Sequence, residues 1–437
     1  MKYRDLGRTG MKVSEIGFGG WAIGGGWGPQ DDAESLKALH AAIDNGVTFI
    51  DTAAGYGEGR SERLIGKVLR ERKEQLLVAT KTPPLPGYWP PSPYCKAEER
   101  YPATYLRQNI EERLKNLGVE RIDVLQLHTW TRAWNRDAVP LHVLAKLKKE
   151  GKIRAIGVST PEQDQSSVVD LMKQGLVDTV QVIYNIFEQE PAAELLPVAQ
   201  EQGIGVIVRV ALDEGALAGR FTAQTKFDPG DFRSRYFAGD RLERTLKRVT
   251  EVEADISGSG YTLPQAALRF VLASPAVSTV IPGIRSVAQA RANTSVSDLP
   301  EMPEALQEKL HRHNWPRAFW NGGKSGARRR GARGARGTPG GRAGAGDAAR
   351  AELRAATYAL RKVSRTLLPR PFRPASPSVT LPTGSTGEAA LGCSSELAGV
   401  RPKKMHSALP GGHQAISPTV MSSRAVESSG MSRSTLP

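Results

Sequence analysis

The sequence predicts an α/β protein built around a buried parallel sheet, and three observations carry that expectation. Short apolar runs rich in β-branched residues alternate with longer amphipathic stretches through residues 1–321. The runs are nearly continuous in apolar character, as strands covered on both faces must be. There are eight of them, and eight strand–helix units in this length suit a closed (β/α)8 barrel. An open doubly wound sheet shares the same alternation, and counting does not separate the two.

Taken in order, Tyr3 to Ser14 with the turn Arg8-Thr9-Gly10 reads as a hairpin ahead of the first sheet strand, Ile16 to Phe18. Gly17-Phe-Gly19-Gly-Trp-Ala22 matches a dinucleotide fingerprint in form. Gly24, Gly25, Gly26 and Pro29 follow, however, so no helix can open there, and the segment reads as a rim loop carrying Trp21 and Trp27. Ala33 to Asp44 is a helix with Leu36, Leu39 and Ile43 on one face, Asp31 and Asp32 at its N-cap, and Gly46 past its end. The second and third strands are Thr48 to Asp51 and Leu76 to Thr80. Thr82 to Pro102 is then a long loop with six prolines between Pro83 and Pro93 and the aromatics Tyr88, Trp89 and Tyr94, read either as a pocket wall or as a packed surface loop. Leu106 to Leu117 is a helix with Ile110, Leu114 and Leu117 inward, and Gly151 marks a further helix stop. The remaining strands are Val124 to His128, Ile153 to Val158, Thr179 to Ile183, Gly205 to Arg209 and Ser278 to Ile281.

Charge divides the chain. Of a net +15, residues 322–437 hold 19 Lys and Arg against 5 Asp and Glu, so residues 1–321 are almost balanced. The basic segment has only two aromatics, Tyr358 and Phe372, and is rich in Gly, Ala, Arg, Ser and Pro. Such a composition cannot bury enough apolar surface to offset chain entropy, so it is expected to be a largely disordered tail. Asp347 to Leu368, with Leu353, Leu360 and Leu367 seven apart, is its one helical pattern. A tether to nucleic acid or an acidic surface is the rival reading for the tail alone, and the lack of interleaved aromatics argues against base stacking. Two cysteines exclude a disulfide scaffold or Cys-rich metal site, and no run approaches the roughly 20 apolar residues that span a bilayer. No secretory signal is visible, and the expected setting is cytoplasmic.

In a parallel barrel, the side chains at the C-terminal strand ends form the site. Asp51 ends the second strand, Lys81 the third and His128 the fourth, and Tyr56 lies in the loop after Asp51. A phenol is a weak acid with an ordinary pKa near 10, which an adjacent ammonium lowers. Lys81 supplies that charge, Asp51 holds Lys81, and His128 orients a carbonyl oxygen beside Tyr56, which gives it a proton. No nucleophile is required, so a hydride must come from a cofactor, and the reaction class is carbonyl reduction or its reverse.

With these residues in view, residues 1–321 resemble the aldo-keto reductases. The resemblance rests on Asp51-Thr-Ala-Ala-Gly-Tyr56-Gly, Thr80-Lys81, Asp123-Val-Leu-Gln-Leu-His128, Gly151-Lys-Ile-Arg-Ala-Ile-Gly-Val-Ser159, Gln181-Val-Ile-Tyr184-Asn185 and Ile281-Pro-Gly283-Ile-Arg285-Ser-Val-Ala-Gln289-Ala-Arg-Ala-Asn293. It implies a (β/α)8 TIM barrel, an NADPH/NADP+ cofactor, a small-molecule carbonyl substrate and the tetrad Asp51, Tyr56, Lys81 and His128. It implies further that Ser159 and Gln181 meet the nicotinamide carboxamide, although Thr160 stands where the family commonly has Asn. Gly283, Arg285, Gln289 and Asn293 resemble the adenosine-phosphate site. Gly283 admits close backbone approach, Ser286 to Asn293 opens a helix whose N-terminus favours anions, and Arg285 offers a planar fork to a 2′-phosphate. The end of the seventh strand departs from the family's pattern, with Arg209 or Val210 at the aligned position and Leu212 to Phe221 as the phosphate-facing loop. Trp21, Trp89 and Trp130 are expected to line the substrate opening. The alternative reading is a non-catalytic NADP(H)-binding sensor. No metal is expected, His311-Arg-His313 reads as a solvated helix end, and the oligomeric state cannot be read from the sequence.

Overall fold

The expected hairpin forms, β1 (Tyr3–Asp5) pairing antiparallel with β2 (Lys12–Ser14). The structure, a computed structural model, describes residues 1–315, so the basic tail, its helical stretch and the boundary at residue 321 lie outside the described residues. Eight parallel strands follow: β3 (Phe18–Gly19), β4 (Phe49–Asp51), β5 (Leu77–Thr82), β6 (Ile122–Leu127), β7 (Ile153–Ser159), β8 (Thr179–Ile183), β9 (Gly205–Arg209) and β10 (Val277–Val280). Each neighbours the next in chain order, with a register shift between Val277 and Thr279 where β10 meets β9. The sheet closes on itself where Ile16 bridges Val280 and Gly19 bridges Gly283, with Gly17 N donating to Val280 O at 2.8 Å. Barrel closure thus decides the alternative that counting left open. It also leaves the eight strands without a free edge.

Helices cover the outside. α1 (Asp32–Asp44) starts where Asp31 accepts from Glu34 N at 2.9 Å, and buries Ser35, Ala38, Leu39, Ala42 and Ile43. α2 (Arg60–Glu71), α3 (Ala97–Arg100), α4 (Ala103–Leu117), α5 (Val139–Lys149), α6 (Val169–Lys173) and α7 (Leu195–Gln202) continue the alternation. α4 buries Leu106, Ile110, Leu114 and Leu117, the face its periodicity predicts. After β9 come α8 (Phe232–Tyr236), α9 (Arg241–Ile256) and α10 (Leu263–Ala273), and after β10 α11 (Val287–Thr294) and α12 (Glu304–His311). His313 departs from the expected solvated helix end. It is buried, with Nε2 2.9 Å from an Asp255 carboxylate oxygen, because the chain turns inward beyond α12.

The hairpin seals the N-terminal mouth. Leu6, Met11 and Val13 pack against Phe49, Leu77, Ala79, Val124, Ala155, Ile207 and Ile281 inside the barrel. Each of these side chains larger than alanine contributes about 2 kcal/mol by leaving water. Polar chemistry is therefore confined to the opposite, C-terminal mouth.

Candidate active site

Strand register places the reactive groups. Asp51 ends β4, Lys81 is the penultimate residue of β5, and His128 follows β6, its N–H donating to Thr82 O at 2.8 Å. The loop after β4 turns back at Gly57 and Glu58, both in the left-handed region, and presents Tyr56 over Lys81. α2 then pins this loop to β5. Glu62, fully buried, accepts from the Thr80 hydroxyl at 2.6 Å and from Asn116 at 2.9 Å, and lies 2.7 Å from Arg113 Nε. Burial raises the Glu62 pKa, and the three donors counter it.

Lys81 Nζ uses all three protons. It donates to Asp51 Oδ1 at 2.5 Å, to Thr52 O at 2.9 Å and to Tyr56 Oη at 3.1 Å. Burial works against its charge, but Asp51 and Tyr56 outweigh burial and hold its pKa above the ordinary value. The other Asp51 oxygen accepts from Gln181 Nε2 at 2.8 Å and Gln126 Nε2 at 3.2 Å. Tyr56 differs from the expectation in one respect. Lys81 pulls its pKa down, yet burial is the larger effect and leaves the phenol above its ordinary value. His128 is pushed down to about 3 by burial, Lys81 and Arg209, so its ring is neutral. That ring lies 6.0 Å from Tyr56, edge to face, and Trp21 packs edge to face on the other side of Tyr56 at 4.9 Å.

Asp51, Tyr56 and His128 line a cavity of about 1000 Å³ whose walls also include Trp21, Trp27, Trp89, Ser159, Gln181 and Arg209. Gly283, Arg285, Gln289 and Asn293 line the same cavity. Trp130 does not. It is fully buried, donates from Nε1 to Asn135 Oδ1 at 2.8 Å and packs edge-on against Trp134 at 5.2 Å. Thr129 takes the place in the wall. Its φ of 138° turns the chain, and the next side chain points away into the helical layer. Of the long proline-rich loop, Trp89 reaches the cavity, whereas Tyr88 and Tyr94 are exposed. Tyr184 stacks on Phe270 at 5.6 Å, away from these walls.

At the far end, Ser286 caps α11 by accepting from Gln289 N. Gln289 Oε1 accepts from Arg285 N at 2.7 Å. The Arg285 guanidinium is turned toward the loop after β3, donating to Gln30 Oε1 at 2.7 Å, Trp27 O at 3.1 Å and Pro29 O at 2.6 Å. Burial and Arg233 lower its pKa. The Trp27 ring packs against Gly283, where any Cβ would come within 2.6 Å of it. Sequence reasoning passed over Gln126 and Glu214 and left Arg209 undecided. Gln126 had a usable signal, a polar residue two before His128 in an apolar strand and hence on the same inward face. Glu214 had none, because its position follows from a left-handed turn at φ 52°.

The aldo/keto reductase family model matches residues 15–313, which is most of the chain. The chain belongs to the aldo/keto reductase family. It is 32% identical over 307 residues to aldo-keto reductase YhdN of Bacillus subtilis, covering 68% of this chain and 89% of that one. It is 30% identical to the NADH-specific methylglyoxal reductase of Escherichia coli, covering 70% of this chain and all of that one. Among solved structures, the glycerol dehydrogenase AKR11B4 of Gluconobacter oxydans superposes with a TM-score of 0.58 at 28% identity, over 71% of this chain and 95% of that one. Members of the family are oxidoreductases of small carbonyl compounds that use nicotinamide cofactors. Among the described residues no helix is long and apolar enough to cross a membrane, and no group of three His, Cys, Asp or Glu side chains is placed to hold a metal.

Proposed function

We propose that this aldo/keto reductase reduces an aldehyde or ketone with NADPH, using Tyr56 as the proton donor. The observation that carries the proposal is the buried Lys81 ammonium bridging Asp51 and Tyr56, both of which line the cavity, 2.5 and 3.1 Å from their oxygens. A phenol held above its ordinary pKa by burial keeps its proton at neutral pH, and Lys81 is in contact to receive the negative charge that remains once the proton leaves. A neutral His128 donates one N–H to the substrate oxygen without competing as an acid.

The residues present suit the cofactor. Gln181 Oε1 is buried without a partner beside Ser159, its in-register neighbour on β7, and is an acceptor for a carboxamide N–H. The Thr160 hydroxyl, in contrast, donates to Gln181 O at 3.1 Å, so this position adds no side-chain contact of its own. The nicotinamide, when bound, supplies the hydride, and Tyr56 supplies the proton that completes the alcohol. Arg285 beside the N-terminus of α11 supports the choice of NADPH, its guanidinium exchanging loop carbonyls for a 2′-phosphate. Trp21 and Trp89 give the substrate end an apolar wall suited to small carbonyl compounds.

Tyr56→Phe tests the reading. Turnover of a carbonyl panel falls by about 10²–10⁴, the range of a lost general acid, while quenching of protein fluorescence by NADPH is retained. Undiminished turnover in that variant would overturn it.

A further inference from the structure

The tetrad leaves one oxygen of Asp51 unaccounted for, and two buried amides occupy it. Gln181 is already placed by its cofactor contact. Gln126 is not among the residues that line the cavity. It is the penultimate residue of β6, fully buried, with Lys81 and Gly157 as its in-register neighbours on β5 and β7. Its one hydrogen bond is Nε2 to Asp51 Oδ2 at 3.2 Å, and its own Oε1 is buried without a partner. The reversed amide would set an oxygen against the carboxylate, so the orientation is fixed by repulsion. The adjoining strand makes room for it. A Cβ at Gly157 would come within 2.8 Å of Gln126 Cγ, so glycine there leaves the long side chain its path across the barrel interior. An apolar residue at 126 would fill the same space without stranding a carbonyl. What the amide provides in return is a donor to Asp51.

We propose that Gln126 is a positioning residue for the tetrad, holding the Asp51 carboxylate so that Lys81 is aimed at Tyr56. The inference rests on the reading of Tyr56 as proton donor. Lys81 has no alternative partner except Thr52 O, so its direction toward Tyr56 depends on where Asp51 Oδ1 stands. With one oxygen on Lys81 and the other held by amides from two further strands, the carboxylate cannot rotate. The amide dipole also offsets part of the carboxylate charge at Tyr56. The charged or titratable groups facing that phenol are Lys81 from β5, Asp51 from β4, His128 beyond β6 and Arg209 from β9. Of these, Asp51 alone raises the phenol pKa, so losing its amide partner strengthens that effect and the phenol holds its proton more tightly.

The test uses the full chain carrying Gln126→Leu, compared with wild type for kcat, KM, NADPH affinity by fluorescence quenching and the pH profile of carbonyl reduction. The expected result is a kcat about tenfold lower with NADPH affinity within twofold, and a displacement of the alkaline limb of kcat toward higher pH. A folded variant with wild-type kcat and pH profile overturns the proposal. Should Gln126→Leu fail to fold, Gln126→Glu decides. Its acid form donates to Asp51 and its ionised form repels it, so kcat must fall across a new ionisation that wild type lacks. An unchanged profile overturns the proposal here too. Tyr56→Phe separates the two levels. If Tyr56→Phe abolishes turnover while Gln126→Leu does nothing, only the positioning role fails. If Tyr56→Phe retains turnover, the donor assignment itself is wrong.

Discussion

At the reaction end of the cavity, every group stands at the end of a barrel strand or is tied to one. Asp51, Lys81 and His128 come from three consecutive strands, and all three Lys81 protons are committed. At the opposite end, Arg285 is held by carbonyls of the loop between β3 and α1, and Trp27 packs against Gly283 with the Arg233 guanidinium over its ring at 5.4 Å. The first end is fixed by sheet register and buried charge, so its distances cannot change without disturbing the barrel. The second is held by exchangeable partners, and an arriving anion can take over a guanidinium that now serves a loop carbonyl. On the proposed function, rigid strand ends carry the chemistry, and loops carry admission and selectivity.

The largest effect that tests this contrast is Lys81→Met. It leaves the Asp51 carboxylate, 2% exposed, without its cation. Breaking a buried pair this way costs about 3–5 kcal/mol, and turnover is lost with it. Urea unfolding alongside kinetics checks both, and an unchanged unfolding midpoint would mean that the reaction end is not held by buried charge. Next in size is the pH response of His128. Its pKa in the folded protein, about 3, lies below the ordinary value of 6.5, so the unfolded chain binds a proton that the native one refuses. Its contribution to stability is therefore complete above pH 6.5 and declines as the pH falls toward 3. His128→Gln should flatten the drop in unfolding free energy between pH 7 and pH 4.5, and an equal drop in both proteins would place the acid sensitivity elsewhere.

The same contrast explains what could be read without coordinates. The strands and α4 follow from local pattern, because parallel strands buried on both faces and a helix with one apolar face leave few other solutions. The tetrad is legible for a related reason, since strand ends of a barrel converge and Asp51, Lys81 and His128 each close a recognisable run. Trp130 misled because the chain turns at Thr129, and a one-residue turn sends the next side chain to the other layer. The strength of the burial effect on Tyr56 was also hidden. A sequence names Lys81 as a neighbour but does not give the depth at which the phenol sits. The partners of Arg285 lie some 255 residues away in a loop whose path depends on Gly283 opposite Trp27, so no local signal carries them.

Arg285→Gln addresses the loop end directly. If the guanidinium turns to a 2′-phosphate, its loss weakens NADPH binding by about tenfold, or ~1.4 kcal/mol, and leaves NADH affinity nearly unchanged. The ratio of the two affinities is the measurement, since loosening of the Trp27 loop alone would weaken both cofactors equally. An equal loss would assign Arg285 to the loop and remove the support for NADPH over NADH.

The smallest effect concerns Glu214, whose carboxyl faces the same cavity from the Leu212–Phe221 loop in a left-handed turn. Burial, reinforced by Glu162 and opposed by Arg209 and Arg233, pushes its pKa up to about 7. Below pH 7 the group is neutral, and above it a negative charge faces the path of an anionic cofactor. Wild-type affinity for NADPH should therefore weaken as pH rises from 6 to 8. Glu214→Gln should remove that slope and bind about threefold more tightly at pH 8, a modest change because two guanidiniums and solvent screen the charge. Fluorescence titrations at pH 6, 7 and 8 measure it. A wild-type affinity that is flat across this range would show that the carboxyl does not face bound cofactor. The loop end would then discriminate through Arg285 alone.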